Sequence, residues 1–182
     1  MEPRIIKTQA QYRRYLEEAR RLVRRDPGPR TPAGERLELL AKLIDDYEIV
    51  ADNLLSNAGR KWTDRISAYA LYTDPPLGRL GMSEAEIRQK GIRALVGKRP
   101  MSRVARAVEK GETRGFLKIH VEEGSRRILG AALLGTSGDE AVHSLIDAVY
   151  SRTPAAEFQR RMRIHPNVSE LLPTVLEDLK PL

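Results

Sequence analysis

The apolar residues of this chain hold a helical period up to about residue 55 and give way from residue 66 to short β-rich runs mixed with helices, so the two stretches must fold differently. Between residues 8 and 25 they fall at Tyr12, Tyr15, Leu16, Ala19, Leu22 and Val23, the three-and-four spacing of one helix face. Thr8 with Gln11 is a candidate capping box at the start. The run Asp26-Pro27-Gly28-Pro29-Arg30-Thr31-Pro32 then stops the helix, because proline lacks the amide donor and clashes with the preceding turn. Thr31 is placed to cap a second helix with Pro32 at its first position. The stripe of that helix is Leu37, Leu40, Ala41, Ile44, Tyr47, Ala51, Leu54 and Leu55. Residues 1–65 are therefore expected to form a helical hairpin, small enough to need something to lean on.

From Ile66 the pattern turns to short β-rich runs. Residues 66–73 read as a strand, and Asp74-Pro75-Pro76-Leu77-Gly78 as a turn, since a Pro-Pro pair cannot donate to a ladder. Ser83 and Glu86 suit a capping box for a short helix ending at Gly91, and residues 92–96 suit a second strand. Residues 115–121 and 127–134 flank the turn Glu122-Glu123-Gly124-Ser125 and are expected to form a hairpin. Ala141, Val142, Leu145, Ile146, Val149 and Tyr150 mark an amphipathic helix that Arg152-Thr153-Pro154 ends. A further short helix carries Ala156, Phe158 and Met162, and a last one begins near Ser169 or Glu170. Residues 66–182 are thus expected to be an α+β domain, an antiparallel sheet with helices packed on it, preceded by the helical hairpin.

Composition removes several function classes. Among 182 residues there is no cysteine, which excludes disulfides, thiolate metal ligands and thiol nucleophiles in this polypeptide. Three scattered histidines leave no metal site to expect. The glycines do not make a Gly-x-Gly-x-x-Gly fingerprint, and no phosphate-binding loop is present. No apolar run reaches the roughly 20 residues of a membrane span. The start Met-Glu-Pro-Arg is not a signal peptide, so a cytoplasmic location is expected. A net charge of +7 and a pI near 9.9 raise the question of nucleic acid. Much of the excess is Arg13, Arg14, Arg20, Arg21, Arg24 and Arg25 on the first helix, which reads as a solvated face. Two Phe and one Trp offer little for base stacking, so nucleic acid is not an expected partner.

The stretch Arg163-Ile164-His165-Pro166-Asn167-Val168-Ser169-Glu170 resembles the His-Pro-Thr-x-Ser-Glu signature of the FAD-dependent pyridine nucleotide–disulfide oxidoreductases, the dihydrolipoamide dehydrogenase and mercuric reductase family. The resemblance extends to Tyr72-Thr73-Asp74-Pro75-Pro76-Leu77-Gly78-Arg79-Leu80-Gly81-Met82-Ser83-Glu84, to Gly111-Glu112-Thr113-Arg114-Gly115-Phe116-Leu117-Lys118 and to Arg127-Ile128-Leu129-Gly130-Ala131. Gly135 and the Asp139–Glu140 helix start continue it. Together these segments cover roughly residues 46–181 in order. The resemblance implies a dimerisation domain. His165 and Glu170 would be a catalytic pair acting in trans, and the His165-Pro166 backbone would lie against the FAD of the partner chain. Asn167 stands where the family has Thr, and Arg163 where many members carry a second His.

The residues themselves are consistent with this implication. Pro166 fixes its own φ and holds residue 165 extended, so the imidazole projects from a turn. A carboxylate at a helix N-terminus is favoured in its charged form, and it would hold one imidazole nitrogen protonated. The other nitrogen could then exchange a proton with a thiol. Without cysteines, an FAD domain or a nicotinamide domain, the chain is expected to bind no cofactor and to be inactive alone. Its expected partner is a second copy or an FAD-binding oxidoreductase. His120 and His143 have no partner at motif spacing and read as ordinary residues.

The first 45 residues resemble the start of HigA-type antitoxins, through Ile5-Ile6-Lys7-Thr8 and Pro29-Arg30-Thr31-Pro32-Ala33-Gly34-Glu35-Arg36-Leu37. That likeness implies an alternative role, a regulatory or binding protein acting through the N-terminal helices. From about Asp46 the sequence resembles instead the last helix of an oxidoreductase FAD domain. A fused or truncated gene would join the two.

Overall fold

A computed structural model describes residues 5–28 and 31–182. The Pro29-Arg30 part of the expected helix break, and the Met-Glu-Pro-Arg start, lie outside the described residues. The chain divides between Arg65 and Ile66 into two compact units.

The first unit contains α1 (Gln9–Val23) and α2 (Pro32–Ser56). Each starts as its side chains dictate: Thr8 accepts from the Gln11 amide and Thr31 from the Gly34 amide, satisfying one orphan donor at each end. Tyr15, Ala19 and Leu22 are buried with Leu40, and Leu37, Ile44 and Tyr47 pack around them. The Tyr12 and Tyr47 rings stack at 4.9 Å, and Arg36 meets Glu18 through two hydrogen bonds of 3.0 Å. The six arginines of the first helix and its exit all lie on the exposed side. Leu54 and Leu55, expected to continue the buried stripe of α2, are 81% and 85% exposed. Apolar spacing placed them on a face, but among the described residues of this unit no side chain covers these two leucines.

The second unit is a six-stranded antiparallel sheet with helices. Its strands are β1 (Ala68–Leu71), β2 (Leu77–Gly81), β3 (Ala94–Pro100), β4 (Phe116–Glu122), β5 (Ile128–Leu134) and β6 (Lys180–Pro181), in the order β1-β2-β5-β4-β3-β6. The helices are α3 (Glu84–Gln89), α4 (Ala105–Glu109), α5 (Gly138–Ala141), α6 (His143–Tyr150), α7 (Ala155–Arg160) and α8 (Leu172–Val175). Both arms of the Ser83–Glu86 capping box form at the start of α3.

Alternation along β4 sets the layers. Leu117, Ile119 and Val121 enter the core with Leu80, Ala131 and Leu133 of the neighbouring strands and Leu145, Phe158 and Leu172 of the helices. Lys118 and His120 point to the opposite face.

The α+β architecture and the β4–β5 hairpin stand as the sequence implied. Four local expectations are corrected. Residues 77–81, taken partly as turn, form β2, although Gly78 and Gly81 make a poor strand by propensity. Packing explains it: a Cβ on Gly78 would collide with the Gly138 carbonyl oxygen at the start of α5. β3 begins later and runs longer than residues 92–96. The helix expected around Ala141–Tyr150 is two, separated at Val142. Met162 lies outside α7 and is 95% exposed, because that helix ends at Arg160.

Gly97, on the core face of β3, sits so close to α8 that a Cβ there would overlap the Val175 carbonyl oxygen. Gly97→Ala is expected to cost about 1–3 kcal/mol, because neither backbone can yield without moving the core around it. Urea unfolding checks this: the midpoint should fall at an unchanged slope.

Candidate functional site

The segment that carries His165 hangs between two anchors. On one side Phe158 of α7 is 1% exposed, and on the other Val168 and Leu172 are 4% and 0% exposed. Both anchors belong to the same core cluster as the sheet. Between them the chain leaves α7 and runs through residues 161–164 without regular structure. It bends at residues 165–168 and enters a 3-10 turn, Ser169–Leu171, that leads into α8. The His165–Pro166 peptide bond is cis.

His165 and Glu170 meet: Nδ1 lies 2.8 Å from Glu170 Oε2. The imidazole side chain is 73% exposed, whereas that of Glu170 is 11% exposed. An ionised carboxylate oxygen only accepts, so the shared proton sits on Nδ1 of the imidazole. Nε2 is thereby the nitrogen left to act as a base.

Asn167 organises the loop around this pair. Its Nδ2 donates to the Ile164 carbonyl at 2.5 Å, and its Oδ1 accepts from the Glu170 amide at 2.9 Å and the Ser169 hydroxyl at 2.8 Å. The sequence marked Asn167 only as standing where the family has Thr. Its two-sided role needed the loop's geometry to be seen.

Arg163 does not point at the imidazole as a free cation. Its guanidinium carbon lies 4.5 Å from the centre of the Phe158 ring, a cation–π distance. Nε and Nη2 are buried without a hydrogen-bond partner. Burial, and after it the neighbouring Arg161, hold the guanidinium below its ordinary range, although it remains charged. The nearby carboxylate of Glu157 is engaged by Arg161 at 2.8 Å. A cleft of about 370 Å³ opens beside the loop, lined by Arg106, Lys110, Ser137, Ser144, Asn167 and Ser169.

His143, read as ordinary, is exposed at the start of α6. His120 is less ordinary. It is fully buried on β4, and neither ring nitrogen has a hydrogen-bond partner. Glu84 Oε1 lies 3.6 Å from His120 Nε2, while the same oxygen receives Lys118 Nζ at 2.7 Å. Burial pushes the His120 pKa below its ordinary 6.5, against the pull of Glu84 and with the repulsion of Lys118. The hydrogen bond from Lys118 holds the Glu84 carboxyl below its ordinary 4.5.

Both shifts have the same sign for stability. The folded chain binds fewer protons than the unfolded chain, so stability is complete above the unfolded pKa and is lost on acidification. The His120 contribution should fade as pH falls below 6.5, and that of Glu84 below 4.5. Urea unfolding of His120→Gln across pH 7 to 5 is expected to show a flatter pH dependence than the parent; an unchanged slope would assign the dependence elsewhere.

Among the described residues no group of three or more His, Asp or Glu could hold a metal ion, and no helix is long and apolar enough to cross a membrane.

The fold and the His–Glu pair together define a helix-backed antiparallel sheet that presents an imidazole on an outer loop. Residues 67–176 match the dimerisation domain of the pyridine nucleotide–disulphide oxidoreductases, and the chain belongs to that family. It is similar to the probable pyridine nucleotide-disulfide oxidoreductase RclA of Escherichia coli K12, 34% identical over 130 residues that make up 71% of this chain and 30% of RclA. It is 32% identical to human mitochondrial dihydrolipoyl dehydrogenase over 100 residues, 55% of this chain and 20% of that protein. The solved structure described as HOCl-induced flavoprotein disulfide reductase RclA from Escherichia coli superposes with a TM-score of 0.69 at 31% identity, covering 80% of this chain and 34% of that one. The chain thus spans about a third or less of the length of these relatives.

Proposed function

We propose that this chain is an interaction module that pairs with a second copy or with an FAD-binding oxidoreductase, and that His165 and Glu170 complete the partner's disulfide site. The observation that carries the reading is the 2.8 Å His165–Glu170 hydrogen bond on an exposed loop of a dimerisation domain. An imidazole that is 73% exposed has little to do inside its own unit, whereas a base held in one tautomer suits a proton transfer to a group brought from outside.

The residues fit one edge of a flavin site. His165 and Pro166 offer an exposed backbone and ring edge, and the remaining contacts would come from the partner. Flavin bound there would supply the electron transfer between nicotinamide and disulfide. Glu170 holds the Nδ1 proton and keeps Nε2 free. Nε2 receives a proton from the attacking thiol and returns it to the leaving thiolate. Asn167 and the anchors at Phe158 and Val168 keep that nitrogen in place.

Mixing the chain with an FAD-loaded reductase trimmed of its own dimerisation domain tests the reading. Disulfide reduction that appears only in the mixture supports it, and activity that is the same with and without this chain refutes it.

A second reading, an antitoxin-like regulatory role of the N-terminal helices, is favoured by the exposed arginine face of α1. Retention on duplex DNA that weakens steeply between 50 and 200 mM salt, on the order of the counterion release of several phosphate contacts, is the expected signature. Binding that ignores salt, or none, removes this reading.

A further inference from the structure

We infer that Asn167 is the positioning residue that fixes the His165–Glu170 pair in its working geometry. The inference rests on the in-trans reading above and deepens it. One side chain holds both ends of the loop that contains the imidazole. Toward the N-terminal side it donates to the Ile164 carbonyl, and toward the C-terminal side it accepts from the Glu170 amide and the Ser169 hydroxyl.

Its amide can stand in only one orientation. The Glu170 N–H can only donate and the Ile164 carbonyl can only accept, so the oxygen must face residues 169 and 170 and the nitrogen must face residue 164. His165 and Pro166 therefore lie inside a closed span, residues 164–170, that a single two-ended group ties shut.

The clamp acts on the pair through Glu170. Fixing the Glu170 amide fixes where its carboxylate emerges at the start of the 3-10 turn, and that carboxylate is the polar partner of the His165 ring. The ring is otherwise mostly exposed. Without the clamp, the 3-10 turn loses the side-chain cap on its second residue, and the loop before Pro166 loses its link to it.

A neutral imidazole left free in water favours the Nε2–H form, whereas the pair as seen requires Nδ1–H. Tautomer is thus a readout that a purely structural asparagine would not move.

The test is the nitrogen NMR spectrum of the His165 ring in the full chain above its titration range. The parent is expected to be mostly Nδ1–H. Asn167→Ala should shift the ratio roughly fivefold toward Nε2–H, the size of one ordinary hydrogen bond lost. Asn167→Asp keeps both acceptor arms but turns a carboxylate oxygen toward the Ile164 carbonyl, which replaces that hydrogen bond with a repulsion, so it should shift the ratio in the same direction. It is isosteric, which keeps the test valid should the alanine variant unfold. Asn167→Thr, whose hydroxyl can both donate and accept, should restore the Nδ1–H form.

A tautomer ratio unmoved in both Asn167→Ala and Asn167→Asp would overturn the clamp, whatever the reconstituted activity. A ratio that responds to Asn167 in a chain that fails to reconstitute disulfide reduction would support the clamp and overturn the in-trans reading instead.

Discussion

His165→Ala is expected to lower disulfide turnover in the reconstituted complex by about 10²–10⁴-fold, the usual contribution of a positioned general acid–base. The side chain is mostly exposed and contributes nothing to the core, so the variant should fold and assemble as the parent does. The loss should therefore fall on kcat, with the association constant unchanged. Glu170→Gln should be milder: the amide can still accept from Nδ1–H, but it no longer stabilises the charged imidazolium formed as the proton is taken up. Titrating the trimmed reductase with each variant separates these outcomes. An equal loss of binding and turnover would make the loop a docking element and not a chemical one.

Phe158→Ala should be the most damaging single truncation of the second unit, at about 3–5 kcal/mol. The ring is 1% exposed in the shared cluster and forms the floor on which the Arg163 guanidinium lies. Removing it opens a cavity and also takes the aromatic face from a cation whose Nε and Nη2 already lack partners. The double variant with Arg163→Met gives a sharper reading. Removal of the buried charge should recover part of the loss, since an apolar side chain can fill the space without an unsatisfied donor. Urea unfolding of the four chains of this cycle measures the coupling, and strict additivity would mean that the ring and the guanidinium do not support each other.

Caps and turn signals made much of the fold readable from the residues. Thr8, Thr31 and Ser83 announce three helix starts through local hydrogen bonds that need no tertiary information. The β-rich runs on either side of the turn at residues 122–125 announced the β4–β5 hairpin. The sequence was least informative where a close approach overrides propensity. β2 survives two glycines because α5 requires bare backbone opposite Gly78, and Gly97 is set by a helix about 80 residues further on. Neither constraint has a local trace.

The site divides in the same way. The spacing of His165 and Glu170 was visible through the family motif, while the burial of Glu170, the clamp of Asn167 and the stacking of Arg163 on Phe158 depend on where the loop is anchored. His120 was passed over because its significance lies in a neighbour on another element, Glu84, brought across by the fold of α3 onto β4.

Light scattering on the purified chain, alone and mixed with an FAD-loaded reductase trimmed of its own dimerisation domain, tests the central claim most directly. An interaction module should give twice the 20.6 kDa of one chain by itself, or a mixed complex with the reductase. A species that remains at 20.6 kDa in both samples at micromolar concentration would contradict the account.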